Sequence, residues 1–105
     1  MEINYNKIVE IYGKDILTLI NDNINEIIKN LSYLKELGFQ DIEDIFERYP
    51  FIFIQDNKIF KDKFNKLITK LGFDYVNIME NNLDVLEEVD DWNIWFKYFI
   101  KRIWN

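Results

Sequence analysis

A chain of 105 residues with 49% hydrophobic and 17% aromatic content has room for one domain and ample core material, which excludes wholesale disorder. Its 13 basic and 19 acidic groups leave a net charge of −6, which disfavours non-specific binding to nucleic acid or anionic lipid. Cys and His are both absent, and with them go disulfides, thiol chemistry, the usual zinc sites and imidazole acid–base catalysis. The apolar spacing then predicts helices throughout. Residues 4–12 read as a short helix with one apolar strip. The run Leu17-Thr18-Leu19-Ile20 follows as a brief apolar turn. Asn23 is placed to N-cap a long helix on which Ile24, Ile27, Ile28, Leu31, Leu34 and Leu37 share one face. Gly38 stands where a left-handed C-cap is expected.

A second short helix is predicted over residues 41–48. Pro50 introduces the apolar pentad 51–55, which suits a 3₁₀ turn and competes with a buried strand. From Asn57 a second long helix carries Phe60, Phe64, Leu67, Ile68 and Leu71 and stops at Gly72. A third short helix is predicted at 74–80, then an acidic segment, then an aromatic helix over 91–104. No signal peptide and no apolar run of bilayer length is visible, so a cytoplasmic protein without a membrane segment is expected.

These elements repeat. Leu37-Gly38-Phe39 recurs as Leu71-Gly72-Phe73, and the same 34-residue offset carries Asp22-Asn23 onto Asp56-Asn57. It also carries the apolar run 17–20 onto 51–54. Three blocks follow, at about 4–37, 38–71 and 72–105, each a short helix, an apolar turn and a long helix. One unit cannot hide both of its faces, so neighbours must stack. The fold class expected is all-α, about three such units forming a small solenoid or compact bundle.

The stretch Leu34-x-x-Leu37-Gly38-Phe39-x-x-Ile42-x-x-Ile45-Phe46-x-x-x-Pro50 resembles a repeat of the mitochondrial transcription termination factor (mTERF) family, and Phe64-x-x-Leu67-Ile68-x-x-Leu71-Gly72-Phe73 continues it. The resemblance covers residues 20–80 best. It implies a curved helical array and, in many relatives, nucleic-acid binding through a basic groove. This chain departs from the pattern at Ile16 and Asp84, which occupy the Pro position, and in its acidic balance.

Three surface constellations carry the functional expectations. Lys58, Lys61, Lys63, Lys66 and Lys70 line one side of the second long helix, either as a phosphate-binding strip or as a solvated face with an Asp62–Lys66 ion pair. Asp84, Glu87, Glu88, Asp90 and Asp91 form a dense negative segment suited to a basic protein surface, or to the dipole of the helix that follows. Trp95, Tyr98 and Trp104 belong to a helix apolar almost all round, which fits internal burial or an interface, including a homodimer. Gly-rich phosphate loops are absent, no Ser nucleophile has an imidazole partner, and nothing clusters carboxylates, Lys or Tyr persuasively, so neither catalysis nor a cofactor is expected. The reading that follows is a non-catalytic, protein-binding module with a basic partner, of the kind that includes phage inhibitors of defence systems such as anti-CRISPRs, antitoxins and immunity proteins. The alternative is an mTERF-like nucleic-acid-binding protein using the lysine helix.

Overall fold

A computed structural model describes residues 3–88; the aromatic helix expected over 91–104 lies outside the described residues. Six α-helices and two 3₁₀ segments make up the described chain: α1 (Tyr5–Tyr12), α2 (Asp15–Asp22), α3 (Ile24–Leu37), α4 (Ile42–Arg48), η1 (Pro50–Ile54), α5 (Asn57–Leu71), α6 (Tyr75–Asn81) and η2 (Leu83–Glu88). The described residues are all-α, and the helices expected among them recur within a residue or two of their expected bounds. The pentad is a 3₁₀ turn, with Pro50 at its start where a missing N–H costs nothing.

Two local expectations need correction. Residues 17–20 are part of a full helix, α2, where the corresponding segment of the next unit is the tighter η1. Asn23 makes no side-chain cap to α3; its Nδ2 donates instead to Leu19 O at 2.8 Å, closing the end of α2. With only Asn23 between the two helices, its side chain serves the one that ends.

The long helices stack in parallel. Asn57 N donates to Glu26 Oε2 at 2.7 Å, and further along both helices Tyr33 OH donates to Asn65 Oδ1 at 2.9 Å. Equivalent helices of translated units must run the same way, so this direction is what a repeat requires. The core between them is aromatic: Phe60 lies 5.4 Å from Phe53, 4.7 Å from Phe64 and 6.2 Å from Tyr33, ring centre to ring centre. Phe46, Phe53, Phe60 and Phe64 are fully buried, each contributing roughly 1.5–3 kcal/mol by leaving water.

Contacts along the short-helix side recur from unit to unit. Ahead of α1, Asn4 N donates to Glu47 Oε2 on α4 at 3.1 Å; ahead of α4, Gln40 N donates to Glu80 Oε2 on α6 at 3.5 Å. At the end of α1, Tyr12 OH donates to Arg48 O at 3.1 Å; just past α4, Tyr49 OH donates to Asp84 Oδ1 at 3.4 Å. A backbone N–H entering α1 or α4 and a tyrosine at its end both fasten onto the next unit.

Candidate functional site

Three surface regions and one buried polar knot hold the chemistry of the described chain. The knot sits beneath η1. Asn30, completely buried on the apolar face of α3, donates through Nδ2 to Phe53 O at 2.8 Å and to Gln55 O at 2.9 Å. Its Oδ1 accepts from Asn57 Nδ2 at 2.8 Å. Gln55 Nε2 donates to Ile52 O at 3.0 Å, and Gln55 Oε1 accepts from Lys63 Nζ at 2.7 Å. A short 3₁₀ turn leaves carbonyls without helical partners, and burying them would be costly unless side chains supplied donors. Here they do, and no buried side-chain polar atom among the described residues lacks a partner. The signal in the sequence is Asn30 itself, a polar residue between Ile27 and Leu31 on an otherwise apolar stripe.

The lysine row divides by role. Lys58, Lys61, Lys66 and Lys70 are exposed along α5, while Lys63 is half-buried and committed to Gln55. Lys61 Nζ stands 5.3 Å from the centre of the Tyr33 ring, which the neighbouring α3 contributes to the row. The Asp62–Lys66 ion pair is not formed; the ion pairs among the described residues are Lys7–Asp44, Lys7–Glu47, Lys29–Glu26 and Arg48–Asp44. Lys63, Lys66 and Lys70 line a shallow groove of about 160 Å³ floored by Leu67.

Acidic groups collect on a different edge. Asp41, Glu43, Asp44 and Glu47 lie on or just before α4, opposed there by Lys7 and Arg48. Asp74, Glu80 and Asp84 continue the edge along α6 and η2. Asp84 is exposed and accepts from Tyr49, and the backbone of Glu87 and Glu88 closes η2. Asp90, Asp91, Trp95, Tyr98 and Trp104 lie outside the described residues. α4 packs on α1, α3 and η1, and α5 packs on α3 and α6, so the acidic and basic helices share α3 as a neighbour. The middle sequence block sums to zero charge; in space it is an acidic short helix and a basic long one.

An open, apolar depression of about 390 Å³ forms the third region, lined by Tyr5, Leu17, Ile20, Asn21 and Ile24. The phenol of Tyr33, at the α3–α5 seam, is held above its ordinary value of 10.0 by burial and by the charge that Tyr75 would carry. Among the described residues no helix is long and apolar enough to cross a membrane. No protein-family model, curated protein or solved structure matches this chain.

Proposed function

We propose that this chain is a non-catalytic helical-repeat module that binds a protein partner through its acidic edge, the partner presenting a basic surface. One observation carries this: Asp41, Glu43, Asp44 and Glu47 lie on or just before α4, Gln40 and Tyr49 at the two ends of that helix hold Glu80 and Asp84 beside it, and the chain leads on by sequence into Glu87, Glu88, Asp90 and Asp91. A concentrated negative edge steers a basic partner and fixes its orientation, whatever the net charge elsewhere. Small acidic inhibitors of nucleic-acid-handling proteins, such as anti-CRISPRs, and antitoxins and immunity proteins are instances of that class. The test begins with affinity capture from the native host. The captured partner is then titrated against the wild type and against a variant carrying Asp84→Lys, Asp90→Lys and Asp91→Lys. The variant should bind at least tenfold more weakly and show a shallower dependence on salt; equal affinity and equal salt slope refute the reading.

A second reading rests on the groove of Lys63, Lys66 and Lys70. Taken with the mTERF-like pattern of Leu34 to Pro50, it makes α5 a contact for the phosphates of duplex DNA or RNA. Replacing all three lysines by Glu should then abolish an anisotropy signal with a labelled duplex at low salt. A wild type that gives no signal removes this reading and leaves the first intact.

A further inference from the structure

We draw no further inference here: the strongest candidate, the open apolar depression where α1, α2 and α3 meet, lined by Tyr5, Leu17, Ile20, Asn21 and Ile24, carries nothing because nothing in the structure shows what covers it.

Discussion

Asn30 shows how much one side chain can decide. Its amide supplies two donors to the carbonyls of Phe53 and Gln55 and one acceptor to Asn57, all within 2.9 Å. Asn30→Leu preserves volume on the apolar face of α3 but strands two buried carbonyls, each at about 1–3 kcal/mol. Chemical denaturation should show a loss of about 3 kcal/mol for Asn30→Leu, against less than about 1 kcal/mol for exposed Asn25→Leu. A second residue-scale prediction concerns Gly38, where a Cβ would meet no atom within 4 Å, so substitution costs only backbone strain. Gly38→Ala should lower stability by about 1–2 kcal/mol, and Gly38→Asn should recover part of it because Asn tolerates the left-handed region. Gly38 was legible from its position after the last apolar residue of α3. Asn30 was not, because a stripe counted by its apolar members passes over the polar residue that completes it.

Elements were read more surely than their partners. The apolar spacing of α3 and α5 located both helices, and Pro50 located η1, since helix period and proline geometry act within a few residues of sequence. The extent of α2 is not legible in this way: the apolar run Leu17 to Ile20 reads as a brief turn, while the helix begins at Asp15 and is completed by packing on α1 and α3. The direction of the α3–α5 pair comes from Tyr33, Asn65 and Asn57 meeting in order along both helices. Tyr33 makes that seam sensitive to alkali. Burial raises its folded pKa above 10.0, so the unfolded chain releases the proton first as pH rises. The seam's contribution is fully present below the unfolded pKa and is lost as pH climbs from about 10 through the higher folded value. Melting temperature should therefore fall more steeply above pH 10 for the wild type than for Tyr33→Phe, with the two curves parallel at neutral pH.

At the scale of the whole molecule, the short helices are tied in series. Glu47 makes two of these ties from a mostly buried position: it accepts the N–H of Asn4 at 3.1 Å, lies 3.7 Å from Lys7 Nζ, and keeps only 12% of its side chain exposed. Glu80 makes the equivalent tie to Gln40 at 3.5 Å from a more open position. In a linear array each unit is held by its neighbours alone, so cutting one tie should loosen one side of the cut more than the other. Glu47→Ala leaves the Asn4 N–H without its acceptor and Lys7 with one carboxylate in place of two, at a cost of about 1–2 kcal/mol. Its effect belongs to the α1–α4 junction, whereas α5 keeps its contacts with α3 and α6. Hydrogen exchange should thus quicken in α1 well before α5, splitting protection that is more nearly uniform in the wild type. Glu80→Ala should cost less and spare α1, because two junctions separate them. If Glu47→Ala instead lowers protection equally in α1 and α5, the units fold as one cooperative block, and the repeat seen in the chain's contacts is a matter of geometry without energetic independence.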